Sequence, residues 1–189
     1  MRNTVKSLAF VTSLLFSLPV FSQLKIGIAD PFTTDLKKII ANFPDHFHAY
    51  RGTVIVSNPQ STNYTCSMVI SGIEDASITT YSGKKEICSW QATVITTESF
   101  DKAKQKFRNL FNQINNMSIG SSVKLKAKYE APAEENKFNS IVFTPTAEKG
   151  AWSNIRLELL LEFNAPMEWK LKVLVYDMEK ADEEETGVK

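Results

Sequence analysis

Two helical stripes, and the period-two runs around them, constrain this chain most. Phe32, Leu36, Ile39, Ile40 and Phe43 fall at i, i+4, i+7, i+8 and i+11, one side of a helix. Asp30 is a helix cap by residue type, and Pro31 stands where a helix accepts proline. Pro44 has no amide to continue the ladder, so the helix is expected to end or kink at Phe43. One further turn is expected over Asp45–Tyr50, closed by Gly52. Phe100, Ala103, Phe107, Leu110, Phe111, Ile114 and Met117 make a second, longer stripe. Lys102, Lys104, Lys106 and Arg108 occupy its other faces, with Thr97 as the expected cap and Gly120 as the exit.

Elsewhere the apolar period is two. Tyr64, Cys66, Met68 and Ile70 alternate with polar or small neighbours, as do Cys88, Trp90, Ala92 and Val94. Val123, Leu125, Ala127 and Tyr129 form a third run, Ile155, Leu157, Leu159, Leu161 and Phe163 a fourth, and Met167, Trp169, Leu171, Val173 and Val175 a fifth. Ser82-Gly83-Lys84-Lys85 is a tight-turn candidate before the second run. Strands with one apolar face belong to an antiparallel sheet covered on one side, and the two helices are the natural cover. The expected fold is therefore α+β: a curved, mostly antiparallel sheet with two amphipathic helices on one face, in the order helix–strands–helix–strands. The halves 31–96 and 98–177 share this order of element types without a residue-level repeat. Asn164-Ala165-Pro166 is the expected loop of the last hairpin. With Phe163 opposite Met167, Trp169 would face Leu161, Leu171 would face Leu159, and Lys172 would face Glu158 on the other side.

The start of the chain is an address rather than a part of this fold. Arg2 and Lys6 precede the apolar run Leu8–Phe21, and Val20-Phe21-Ser22 supplies small and modest residues for a cut. That is the layout of a secretory signal peptide. The run is about 14 residues, short of the roughly 20 that span a bilayer as a helix. The first cysteine is Cys66, so no lipid-modified cysteine is expected at the new terminus. The expected organisation is a signal peptide at 1–22, one α+β domain at 23–178 and an acidic flexible tail at 179–189. The mature chain is expected to be exported, periplasmic or extracellular, without membrane insertion. The chain has 22 basic and 21 acidic residues, and two of the basic ones leave with the signal, so the mature net charge is −1. That balance argues against a nucleic-acid binder, which would carry a basic surplus.

Candidate chemistry is sparse. Cys66 and Cys88 both fall on the apolar faces of their strands, and in an oxidising compartment two cysteines usually pair, so they are a disulfide candidate. The alternative is two separate thiols acting as small apolar residues. His46 and His48 are the only histidines; with Asp45 they fall short of a fixed zinc geometry, and no metal or cofactor is expected. The seven glycines form neither a P-loop nor a dinucleotide fingerprint. No nucleophile elbow and no evident carboxylate dyad is present, which weighs against an enzyme. Lys124, Lys126 and Lys128 form a basic row, best read as lysines that guard an exposed strand, as the basic residues at 102–108 are read as a solvated helix face.

Leu160, Leu174 and Tyr176 fall on the supposed solvent face, with Phe138 and Phe143 beside the last loops. Such a patch lines a ligand cleft, forms a dimer interface or lies under the segment 23–28. The expected function is an exported, non-enzymatic binding or interaction protein whose partner is a protein or a small apolar ligand. The alternatives are a carboxylate-based hydrolase on the open sheet face and a structural homodimer through that face.

Phe43, Phe47 and Tyr50-Arg51-Gly52, followed by a strand led by Tyr64, resemble a known grouping. So does Trp90-Gln91-Ala92-Thr93-Val94 running into Thr97-Glu98-Ser99-Phe100-Asp101-Lys102-Ala103. The chain resembles small exported bacterial proteins with helix–strands–helix–strands order, and Phe21-Ser22-Gln23 is similar to the signal ends of Bacteroidota-type exported proteins. That group has no assigned activity, so the resemblance implies an exported α+β protein and no functional residues.

Overall fold

The computed structural model describes residues 30–178, apart from 84, 85, 116, 121, 122, 148 and 165. The expected signal peptide at 1–22, the segment 23–28 and the acidic tail at 179–189 lie outside the described residues, as do Lys84 and Lys85 of the expected tight turn.

Helix α1 spans Pro31–Ala41. Asp30 Oδ1 accepts a hydrogen bond from the Phe32 amide at 2.9 Å, and Pro31 occupies a position that needs no donor. Asn42 closes the helix, and Pro44 sits in a 3₁₀ turn, Phe43–Asp45, followed by a second at His48–Tyr50. Helix α2 spans Phe100–Asn115. Its cap is Ser99 rather than Thr97. The Lys102 amide donates to Ser99 Oγ at 3.4 Å and the Ala103 amide to the Ser99 carbonyl at 3.1 Å. Thr97 instead ends a strand, and its Oγ1 accepts from the Ser99 amide at 3.2 Å. The helix buries Ala103, Phe107, Leu110, Phe111 and Ile114, which repeats the spacing of Phe32, Leu36, Ile39, Ile40 and Phe43 in and just after α1.

The strands are β1 Arg51–Asn58, β2 Ser61–Cys66, β3 Asp75–Tyr81, β4 Ile87–Thr97, β5 Ser118–Ile119, β6 Val123–Lys126, β7 Phe138–Pro145, β8 Ile155–Asn164 and β9 Glu168–Asp177. They form one antiparallel sheet in the order β1-β2-β3-β4-β9-β8-β7-β6-β5. The fold is α+β, in the order helix–strands–helix–strands. Each helix is followed by a meander, and the last strands of the two meanders, β4 and β9, pair at the centre of the sheet. Helix α2 carries the chain from the central β4 to the far edge at β5 while packing on β4, β6, β8 and β9. The buried stripes of both helices join one core with Ile78, Trp90, Ala92, Ile141, Phe143, Leu157, Leu159, Leu161, Leu171, Val173 and Val175. At one end of this core the Trp169 ring lies 4.8 Å from Phe100 and 5.1 Å from Phe163. Among the described residues no helix is long and apolar enough to cross a membrane.

The last hairpin differs from its expected register. It closes at Asn164↔Glu168, with Phe163 opposite Trp169, Leu161 opposite Leu171 and Leu159 opposite Val173. Met167 was expected in the ladder. It has φ +142°, points into solvent and donates its amide to the Asn164 carbonyl at 3.1 Å, so it belongs to the turn. Each residue is therefore opposite a partner two positions along, and a shift of two keeps every side chain on its face. Lys172 consequently stands opposite Leu160, and its ammonium pairs with Glu162 at 2.6 Å rather than with Glu158.

Candidate functional site

The even-numbered residues of β8 and β9 form the outer face, whose side chains stay out of the core cluster. Leu160, Leu174 and Tyr176 all lie on it. Leu160 stands between Ser140 and Lys172, with only 8% of its surface exposed. Leu174 stands between Gln91 and Glu158, diagonal to Leu160, and Tyr176 between Ser89 and Arg156. Val142, opposite Glu158, completes an apolar island around that carboxylate that the sequence did not reveal. Phe138 is exposed opposite Glu162, whereas Phe143, grouped with it from the sequence, is fully buried in the core. Toward β2 and β3 the same face becomes polar, with Asn63 opposite Thr79 and Thr65 opposite Ser77. Burial alone would raise the Glu162 carboxyl, but hydrogen bonds from Lys172 and Asn164 outweigh it and hold its pKa below the ordinary value.

A second constellation surrounds the turn between α1 and β1. His46 and Phe47 are consecutive non-glycine residues in the left-handed region, at φ +52° and +58°. For an L-residue this conformation costs roughly 1–2 kcal/mol. The Phe47 side chain is fully buried and lies edge-on to Phe43, with 6.0 Å between ring centroids. Arg51 fastens the turn from the start of β1. Its Nη2 donates to the His46 carbonyl at 2.9 Å, to Glu86 Oε1 at 2.5 Å and to Cys88 Sγ at 3.2 Å. The Arg51 hydrogen bond is the main reason the Glu86 pKa is lowered. His48 Nε2 lies 3.3 Å from Glu86 Oε2. The His46 and His48 rings are perpendicular, with centroids 6.4 Å apart. Among the described residues no group of three or more His, Cys, Asp or Glu is placed to hold a metal ion.

The expected Cys66–Cys88 disulfide is not formed, and both cysteines are free. Both do face the core side, but β3 lies between their strands. Cys88 is level with Thr80, and Thr80 with Thr62, four residues along β2 from Cys66. Strands about 4.8 Å apart, with about 3.3 Å rise per residue, leave the two Cα atoms far beyond bridging reach. Cys88 is buried beside Arg51, and burial pushes its thiol up to about 11. Native-state alkylation near pH 8 should therefore modify the half-buried Cys66 first, with both thiols titrating after denaturation without reductant. Peptide mass spectrometry checks this, and equal native rates would contradict the buried environment of Cys88.

Lys124, Lys126 and Lys128 project into solvent while Leu125 between them is buried, as expected for a guarded strand near a sheet edge. A cleft of about 240 Å³ is lined by Phe43, Pro44, His46, Gly150, Ala151, Asn154 and Asp177. Another of about 210 Å³ lies beside α1 at Lys37, Ile40, Ile119 and Trp152. Both are smaller than the roughly 300–1,000 Å³ typical of small-molecule sites. Comparison of the chain with family models, with curated proteins and with solved structures finds no match.

Proposed function

We propose that the chain is an exported, non-enzymatic interaction protein. Both helices cover one face of a curved sheet, and the opposite face docks a partner protein. The observation that supports this reading is the island of Val142, Leu160 and Leu174 on that opposite face, extended by Tyr176 and Phe138. The partner it suits is a protein with a flat, apolar-centred surface. Its centre would meet Glu158, which the island surrounds, and its rim would meet Glu162 on β8 beside Lys170 and Lys172 on β9. The hydrolase alternative fits less well. Glu158 and Glu162 are four residues apart on one strand, about 13 Å at 3.3 Å per residue, against roughly 5–9.5 Å between the carboxyls of a glycosidase pair. Glu162 is also held ionised by Lys172 and Asn164. Export is supported by the layout of Arg2, Lys6, Leu8–Phe21 and Ser22.

A photo-crosslinking residue at Leu174, in cells that make the protein, should give a discrete heavier adduct on irradiation. The same residue at the exposed Gln105 of α2 should give none. Mass spectrometry of the adduct should find this chain beginning at Gln23. The absence of an adduct, or the same adduct from both positions, would overturn the docking face. An adduct of two identical chains would replace the partner with a homodimer, and an intact Met1 would overturn export.

A further inference from the structure

One row of residues crosses the outer face near the end of β9. Tyr176 is opposite Arg156, Phe143 opposite Leu157 and Thr144 opposite Lys126. Tyr176, Arg156, Thr144 and Lys126 therefore stand level on four neighbouring strands, on the side away from the core. Lys124 begins the next row beside Thr146, whose hydroxyl accepts from the Lys124 amide at 3.0 Å. The strip so formed is basic at Arg156, Lys126 and Lys124 and holds no carboxylate. Lys124 and Lys126 are exposed and stand about 7 Å apart along β6. Among the described residues neither has a carboxylate within ion-pair distance, and Lys128, just beyond the strand, lies 3.7 Å from Glu130. Guarding an edge uses these charges but leaves them unpaired.

The chain itself supplies the opposite charge. Residues 179–189, outside the described residues, hold Glu179, Asp182, Glu183, Glu184 and Glu185 against Lys180 and Lys189. They depart from the end of the strip. The Met178 amide donates to the Asn154 carbonyl at 2.8 Å, and the Met178 sulfur lies against the Arg156 guanidinium. From β9 to β6 is three strand spacings, about 14 Å. Five residues beyond Met178 span up to about 17 Å, which brings Glu183, Glu184 and Glu185 to Lys126 and Lys124. The basic residues of α2 are a poorer match. That helix begins at Phe100, packed on Trp169 at the far end of β9, about 26 Å from Asp177 and across the sheet.

We propose that residues 179–189 fold back across β8 and β7 as a strap, with Glu183, Glu184 and Glu185 docked on Lys124 and Lys126. Exposed ion pairs are individually weak, but a short tether presents the carboxylates at an effective concentration in the millimolar range. Several pairs then act together. The island around Glu158 begins one row further on, so the strap and the docking face are separate surfaces.

Carbodiimide joins a carboxylate directly to an amine. It should couple Glu183, Glu184 or Glu185 to Lys124 or Lys126 about tenfold more than to Lys102, exposed on α2. The excess should vanish at 0.5 M sodium chloride, where the Debye length is about 4 Å. A mixture of ¹⁵N-labelled and unlabelled chains should give no mixed-isotope product. Glu183→Gln combined with Glu184→Gln and Glu185→Gln should move the amide NMR signals of Lys124, Lys126 and Thr144 while leaving those of α2 in place. Salt should move the wild-type signals in the same direction. Equal coupling to Lys102, product found only between chains, or β6 amides indifferent to the triple variant would each overturn the proposal.

Discussion

Leu159→Asp should abolish the cooperative unfolding transition. Leu159 is fully buried at the middle of β8, level with Ile141 on β7 and Val173 on β9. Its removal alone costs about 2–5 kcal/mol. Several further kcal/mol are needed to keep a carboxylate there without water or a partner, or to protonate it. The total is comparable to the roughly 5–15 kcal/mol by which domains of this kind are stable. The neighbouring Glu158, on the outer face, provides the control. Glu158→Gln should melt within a few degrees of wild type, because surface changes usually stay within about 0.5 kcal/mol. Circular dichroism melting of the two variants checks the contrast. A soluble Leu159→Asp protein with a sharp transition near wild type would falsify the assignment of faces.

That contrast depends on parity, which is the part of this fold most legible in the sequence. The stripes of α1 and α2, and the faces of β4, β8 and β9, follow from spacing alone, because burial selects one side of each element. Register is less legible. The last hairpin is offset because Met167 takes a turn conformation that no hydrophobic pattern reveals. Four strands were not expected, the two-residue β5 among them. β1 exposes nearly all its side chains, and β3, Asp75-Ala76-Ser77-Ile78-Thr79-Thr80-Tyr81, buries fully only Ile78. β7 buries only Ile141 and Phe143. Such strands form because neighbouring strands need hydrogen-bonding partners, a demand set by topology rather than by their own periodicity. The expected disulfide failed for the same reason. Alternation placed both cysteines on the correct face, while β3, unseen, kept their strands apart.

The candidate sites divide in the same way. Leu160, Leu174 and Tyr176 were found because they break the alternation of otherwise regular strands. Val142 belongs to β7 and was missed with it. The Arg51 constellation was also missed, since it joins residues 35 and 37 positions apart in sequence. One signal was available: Arg51 is the last charge before the uncharged stretch that contains β1.

The turn held by Arg51 leads to the second large expectation. Phe47→Ala should lower stability by about 3–5 kcal/mol, the usual range for a buried phenylalanine. At roughly 2–4 °C per kcal/mol for a domain of this size, the melting temperature should fall by about 6–20 °C. Part of the ring's contribution offsets backbone strain, because Phe47 has φ +58°. Phe47→Gly should therefore cost less than Phe47→Ala, although it removes one more carbon, since glycine adopts positive φ without a Cβ clash. At His46, which keeps its carbonyl bond to Arg51 whatever its side chain, substitution by glycine should be neutral or stabilising. Calorimetry of the three variants gives the order His46→Gly at or above wild type, then Phe47→Gly, then Phe47→Ala. Phe47→Ala above Phe47→Gly would mean that the turn does not hold a left-handed backbone. Because Arg51 is both the fastener of this turn and the first residue of β1, loosening Phe47 should also weaken the pairing of β1 with β2.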